Sequence, residues 1–155
     1  MYVFDTSPLS TLFKNYYPSR FPTLWAHFDA LITSGSIVST REVCREIMDG
    51  PVESARLWAD QQKAVFHTPV AAEATFIAQI YSVAHFQQNI EQQKLLKGGR
   101  NADPFVVAKA ATEGRGVVTI EAFKPNSAKI PNICQHFQVP CLTLEEFMEE
   151  EGWTF

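Results

Sequence analysis

The 155-residue sequence holds only three cysteines, Cys44, Cys134 and Cys141, and no Cys-x-x-Cys spacing. Its four histidines, His27, His67, His85 and His136, form no His-x-x-x-His or His-Glu-x-x-His pattern. These absences argue against a disulfide framework and against a Cys/His zinc site. The thiols read instead as buried side chains of a protein in a reducing cytoplasm. The start is not expected to act as a signal peptide. The start, MYVFDTSPLS, has no basic lead, and Asp5 sits where a signal peptide would build its apolar core. Residues 76–86 are too few and too polar to span a bilayer, which takes about 20 residues. The expectation is a soluble, cytoplasmic protein with no membrane partner. Seven Gly and nine Pro are too few for a low-complexity chain. No internal repeat or linker is evident, no GxxxxGK[ST] phosphate loop occurs, and no Ser-His-Asp or Cys-His arrangement stands out.

What is present is the composition of a folded domain. Hydrophobic residues make up 46% and charged residues 19%, in a length typical of one domain spanning 1–155. Tyr2-Val3-Phe4 reads as a short buried strand ending at Asp5. Ser7 is placed to cap a helix with Pro8 in its first turn. A second helix carries Phe21, Leu24, Trp25, Phe28 and Ile32 at spacings of three and four, and Ser34-Gly35 ends it. Residues 36–39 form a candidate strand, and Thr40 then caps a helix with Val43, Ile47 and Met48 inward. Helices follow over about residues 53–63 and, as one or two segments, about 70–95. Asn101 or Asp103 caps the next helix. Residues 116–120 are the clearest strand, 130–137 a short helix, 141–143 a last strand, and 144–151 an acidic helix. Short apolar strands alternating with helices point to an α/β protein with a parallel sheet covered on both faces. In such sheets sites form beyond the carboxyl ends of strands.

Acids occupy those positions. Asp5 follows the first strand, Glu42 and Glu46 share one face of the helix after the second, Asp103 opens a helix, and Glu121 follows the clearest strand. Taken singly, each has an ordinary reading as a cap, a turn residue or a solvated helix residue. Taken together they would repel one another by several kcal/mol unless a cation sat among them. All-oxygen ligands suit Mg²⁺ or Mn²⁺. Such an ion activates water and stabilises charge on a phosphoryl oxygen, so phosphodiester hydrolysis is the natural chemistry.

Several stretches, in this order, resemble the PIN domain: the first strand with Asp5-Thr6-Ser7, Val43-Cys44-Arg45-Glu46-Ile47, Asp103-Pro104-Phe105-Val106-Val107-Ala108-Lys109-Ala110, and Val117-Val118-Thr119-Ile120-Glu121. The likeness runs over nearly the whole chain and is closest to the VapC-type toxins of toxin–antitoxin pairs. The helical middle and the Lys129-Ile130-Pro131-Asn132-Ile133-Cys134 segment point to a PIN-like branch apart from mainstream VapC. The resemblance implies a three-layer α/β/α sandwich with a central parallel sheet. It also implies a divalent-metal-dependent endoribonuclease, a homodimer, and an antitoxin protein as partner. Position by position, Asp5, Glu46 and Asp103 match the three characteristic acids. Glu121 takes the place of a fourth that is often Asp, which leaves the number of metal ions open. Glu42 is the runner-up ligand. Thr6, Ser7 and Thr119 could orient a carboxylate or cap turns.

The net charge of −4 argues against a broadly basic nucleic-acid binder. Its distribution is uneven. Five Glu crowd residues 145–151, and residues 94–129 hold seven basic against three acidic residues. Lys94, Lys97, Arg100, Asn101 and Lys129 are therefore candidates for holding an RNA backbone, or else ordinary solvated residues. Tyr16, Tyr17, Phe21 and Trp25 could stack bases, but their helical spacing is that of a core. Two other readings remain: a PIN-like module working by protein–protein contact, and a nuclease of RNA processing or defence without an antitoxin. A haloacid-dehalogenase-type phosphatase fits less well, because Ser7 stands where that motif needs a second Asp.

Overall fold

Residues Tyr2–Phe4 form strand β1, with all three side chains buried. Strands β2 (Ile37–Thr40) and β4 (Gly116–Val118) flank it, and β3 (Phe66–His67) and β5 (Cys141–Leu142) complete a sheet of order β3-β2-β1-β4-β5. Every pairing is parallel, with Val3 opposite both Val38 and Val117. Strands covered on both faces read as continuous apolar runs, which is why these short segments show no alternation. The computed structural model describes residues 1–96 and 101–155.

Nine α-helices are present among the described residues: α1 (Thr6–Asn15), α2 (Pro22–Thr33), α3 (Arg41–Asp49), α4 (Glu53–Gln61), α5 (Ala71–Ser82), α6 (Gln87–Leu96), α7 (Asp103–Glu113), α8 (Ile130–His136) and α9 (Leu144–Glu150). Tyr2 and Phe4 point to one face of the sheet, because alternate strand residues share a face. There Phe4 meets Phe28 of α2 at 6.2 Å and Phe147 of α9 at 5.0 Å between ring centres. Trp58 of α4 joins this layer through Phe13, Phe28 and Phe66. On the other face α7 crosses β1, β2 and β4 and packs against α5 and α8. Right-handed crossovers require this division, since the chain steps across the sheet one way from β1 to β3 and the other way from β4 to β5. The result is the three-layer α/β/α sandwich expected from the sequence.

The packing of α5 on α7 encloses charge. Lys109 and Glu73 are buried, with Nζ 3.8 Å from Oε1, and Lys109 also bonds the carboxylate of Glu113. The second oxygen of Glu73 accepts the N–H of Val70 at 2.7 Å and caps α5. Neither Glu73 nor Lys109 stands out in the sequence.

Several element boundaries differ from the sequence reading. Helix α1 starts at Thr6, with Asp5 rather than Ser7 as its cap residue, because the Asp5 N–H still bonds Val118 O at 3.0 Å and the chain leaves the sheet there. Ala102, not Asn101 or Asp103, is the cap residue of α7. Asn101 Oδ1 nevertheless accepts the Asp103 N–H at 3.2 Å. Phe21 precedes α2 and packs on Tyr16 instead. Strand β4 stops at Val118, and Ile120 is half exposed. Strand β3 was not legible at all. Two residues carry no periodicity, and pairing with Ser39 and Thr40 makes them a strand. Of the three free thiols only Cys134 is buried; Cys44 and Cys141 are partly exposed. No described helix is long and apolar enough to cross a membrane.

Candidate active site

The order β3-β2-β1-β4-β5 places a switch point between β1 and β4, where the connections turn from one side of the sheet to the other. A crevice opens there beyond the carboxyl ends of the strands. Asp5 lies at the end of β1, buried to 4% exposure. Its Oδ2 accepts hydrogen bonds from Thr119 Oγ1 at 3.0 Å and Ser7 Oγ at 3.2 Å. Both hydroxyls thus hold the same edge of the carboxylate. The Thr6 backbone N–H also bonds Asp5. Thr119 Oγ1 in turn accepts the N–H of Glu121 at 3.2 Å and so ties the two acids to one turn.

Asp5 lines a cavity of about 790 Å³ together with Thr6, Ser7, Glu46 and Glu121. Ser10 and Asp49 line it as well, and the sequence reading singled out neither. Burial is the main cause that pushes the Asp5 carboxyl up to about 7, from an ordinary value near 4. The charges of Asp103, Glu121 and Glu46 push the same way, against the Thr6 N–H, which favours ionisation. The four acids are therefore electrostatic neighbours. Yet among the described residues no three Asp, Glu, His or Cys side chains form a finished cation cluster. The charges of Asp103, Glu121 and Glu46 nonetheless act on Asp5.

Asp103, at the start of α7, is held from a direction the sequence did not disclose. Asn89 of α6 is buried to 1% exposure, and its Nδ2 donates to Asp103 Oδ2 at 2.9 Å and to Ala128 O at 3.0 Å. Its Oδ1 accepts from Asn101 Nδ2 at 2.5 Å, and Asn101 also donates to the Tyr81 hydroxyl at 3.3 Å. Asn89 thus joins α6, the loop before α8 and the head of α7 around one carboxylate. Nothing in the Gln-rich run Gln87-Gln88-Asn89-Ile90-Glu91-Gln92-Gln93 marks it, since polar residues there suggest a solvated face. Asn89→Leu would strand these buried partners. We expect it to lower unfolding free energy by about 2–3 kcal/mol, measured by urea denaturation. A loss below about 0.5 kcal/mol would show that the network does not hold the site together.

The other residues named from the sequence fall into different places. Glu121 Oε2 accepts the Ile130 N–H at 3.0 Å, so this acid also anchors the first turn of α8. Glu42 turns away from the acid cavity: it lines a separate groove and pairs with Arg41 at 2.9 Å. Lys129 is the cap residue of α8 and is partly buried. Lys97 and Arg100, and the side chain of Lys94, fall outside the described residues. Trp25 is buried and donates to Tyr16 O at 2.6 Å, so these aromatics belong to the core, as does Phe21 at its edge. Tyr17 is exposed.

A parallel five-stranded sheet between two helical layers, with buried acids at its switch point, is the architecture of a PIN-like fold. In keeping with this, a chain in the crystal structure of VapBC2 from Rickettsia felis bound to a DNA fragment from their promoter superposes with a TM-score of 0.51. The match covers 92% of this chain and 97% of that one at 15% sequence identity, a likeness of fold. The chain belongs to the family described as Domain of unknown function (DUF4411), whose model matches residues 2–155. No curated protein matches the sequence.

Proposed function

We propose that this protein is a divalent-metal-dependent endoribonuclease, and that it serves as the toxin of a toxin–antitoxin pair. The observation that carries the enzymatic reading is Asp5. It is a buried carboxyl at a strand end on which the charges of Asp103, Glu121 and Glu46 converge. The set consists only of hard oxygen donors, and three of its charges act on the buried Asp5. It fits Mg²⁺ or Mn²⁺. The toxin reading is supported more remotely, by the fold shared with a chain of a VapBC assembly. By the same analogy, the partners would be RNA, an antitoxin protein and a second copy of the chain.

In this reading Asp5, Glu46, Asp103 and Glu121 hold the ion. When bound, the ion supplies an activated water and stabilises negative charge on the phosphoryl oxygens. The protein's own part is to keep the carboxylates in place before substrate arrives. Thr119 and Ser7 fix the Oδ2 edge of Asp5, Asn89 fixes Asp103, and the Ile130 N–H restrains Glu121. Glu46 enters from α3, whose buried Val43 and Ile47 set which face it presents. Such preorganisation lowers the barrier because little rearrangement remains at the moment of reaction.

The test is cleavage of single-stranded and structured RNA by purified protein in Mg²⁺, in Mn²⁺ and in EDTA, with Asp103→Asn as the control. Cleavage that needs the ion and falls by roughly 100-fold or more in the variant is expected, since even the partners of metal ligands are worth ~10–100-fold. Equal cleavage by both proteins would remove Asp103 from the site. No cleavage, with tight binding to a protein partner, would favour the protein–protein module.

A further inference from the structure

A second recess, of about 610 Å³, is lined by residues of α3, α5, α6 and the start of α7. Arg41 and Arg45 line one wall; Ile77, Tyr81 and Phe105 line the other. We propose that this recess is the strand-binding subsite of the nuclease, holding one single-stranded nucleotide next to the scissile linkage. Its phosphate would lie on the two arginines and its base against Tyr81 and Phe105. The inference rests on the reading of the acid cavity as the place of phosphodiester cleavage.

Position is the first support. Glu42 faces the recess and Glu46 faces the acid cavity, one helical turn apart on the same face of α3. At 1.5 Å per residue they are about 6 Å apart along the axis. Asn101 and Pro104 line the recess, on either side in sequence of Asp103, whose charge acts on Asp5. In the proposed reading, a chain lying in the recess would continue towards the acid cavity along α3.

Charge is the second. The Arg41 and Arg45 side chains are 44% and 56% exposed, and both turn to the same Glu42 oxygen, at 2.9 and 3.9 Å. One carboxylate cannot neutralise two guanidinium groups. It orients them and leaves a local excess of positive charge, with donors still facing water. Planar guanidinium groups with free donors match phosphate oxygens. In a chain of net charge −4, a cationic pair beside an acidic cavity is a local feature rather than a general coating.

Shape is the third. Tyr81 and Phe105 are partly buried, and the Tyr81 hydroxyl accepts from Asn101 at 3.3 Å. A partly buried aromatic and aliphatic wall set back in a recess can receive a base only when that base is unstacked. A duplex keeps its bases stacked inside, so the recess selects single strands. Sequence reasoning named Lys94, Lys97, Arg100, Asn101 and Lys129 as candidate substrate contacts; Asn101 lines the recess, whereas Arg41 and Arg45 were passed over because their helix read as an ordinary amphipathic one.

Anisotropy of an end-labelled eight-nucleotide single-stranded RNA, titrated with the full chain in EDTA, measures binding without cleavage. Three variants are compared with the wild type: Arg41→Ala/Arg45→Ala, Tyr81→Leu and Tyr81→Phe. The double arginine variant is expected to bind about 10-fold or more weakly at low salt and to reduce the slope of log affinity against log salt by about one to two. Tyr81→Leu should lose about 5-fold or more with the slope unchanged, and Tyr81→Phe should bind like the wild type. Thermal melts identify any variant that is merely unfolded, and the exposed arginines make that outcome avoidable. The proposal is overturned if wild type fails to bind, if the arginine variant binds as wild type does, if a duplex competes as well as the single strand, or if polyglutamate displaces the RNA at equal concentration. The last result would assign the recess to an acidic protein segment. The two readings separate cleanly. Metal-dependent cleavage with unchanged KM in the arginine variant sinks the subsite and spares the nuclease. Arginine-dependent binding with no cleavage under any metal does the reverse.

Discussion

Asp5→Asn is expected to raise the melting temperature of the chelated protein while abolishing its RNA cleavage. The two effects have one cause. Asp5 is buried at the switch point, and both desolvation and the charges of Asp103, Glu121 and Glu46 disfavour its ionised form. Asparagine has nearly the same shape and keeps an oxygen to accept from Thr119 and Ser7, but carries no charge to be repelled. Relief of about 1–2 kcal/mol would shift the melting temperature by roughly 3–6 °C for a domain of this size. The same change removes a proposed ligand, so cleavage should fall by roughly 100-fold or more. Added Mg²⁺ or Mn²⁺ should also stabilise the variant less than the wild type, because only binding to the folded state raises apparent stability. Melts by circular dichroism with and without EDTA, alongside the RNA assay, check all three. A variant that melts well below the wild type would show that the acid cluster is held by something stronger than its own repulsion. In that case the cation argument fails.

Lys109→Met should be the most destabilising single change in the helical layer formed by α5 and α7. Lys109 is the buried cationic partner of Glu73, and both side chains are nearly inaccessible to water. Removing it leaves Glu73 as a buried carboxylate whose remaining partner is the Val70 N–H, a loss of about 3–5 kcal/mol. For a chain of 155 residues that corresponds to a drop in melting temperature on the order of 10 °C. Glu113 is one-third exposed, and its carboxylate can turn to water. The decisive comparison is the double variant Lys109→Met/Glu73→Gln. Glutamine keeps an acceptor for the Val70 N–H and carries no charge, so most of the lost stability should return. Chemical denaturation of the wild type, both single variants and the double variant closes the cycle. If the double variant is as unstable as Lys109→Met, the lysine acts through its packing and not through the ion pair.

Much of the fold was legible because it follows from local rules. The buried runs Tyr2-Val3-Phe4 and Val117-Val118 have few alternatives to a covered parallel sheet, and Thr40 ahead of the Val43/Ile47 stripe marks a helix start without ambiguity. Boundaries were less legible. Ser7 and Asp5 are equally good cap residues, and only the bond from Asp5 N–H to Val118 O decides where the helix begins. Strand β3 exists because Ser39 and Thr40 offer it an edge. The site divides in the same way. Asp5 and its hydroxyl partners Ser7 and Thr119 could be named from their place after strands. Asn89, Asp49, Arg41 and Arg45 could not, because each sits on a helix whose surface gives no sign of what another helix brings to it.

The sequence by itself determined which acids lie at strand ends and helix starts, since short apolar strands followed by Asp or Glu force those side chains to the sheet's carboxyl edge. Tertiary structure alone decided how they are held and which of them meet. Glu42 and Glu46 share a face of α3, yet the packing of α3 sends one to the acid cavity and the other to the arginine groove. Asp103 depends on Asn89, fourteen residues earlier on another helix. The physical reason is range. Backbone geometry and side-chain periodicity act over a few residues and can be read along the chain. Desolvation, charge repulsion and buried hydrogen bonds depend on what α5, α6 and α7 place around a carboxylate, and that arrangement exists only once the chain has folded.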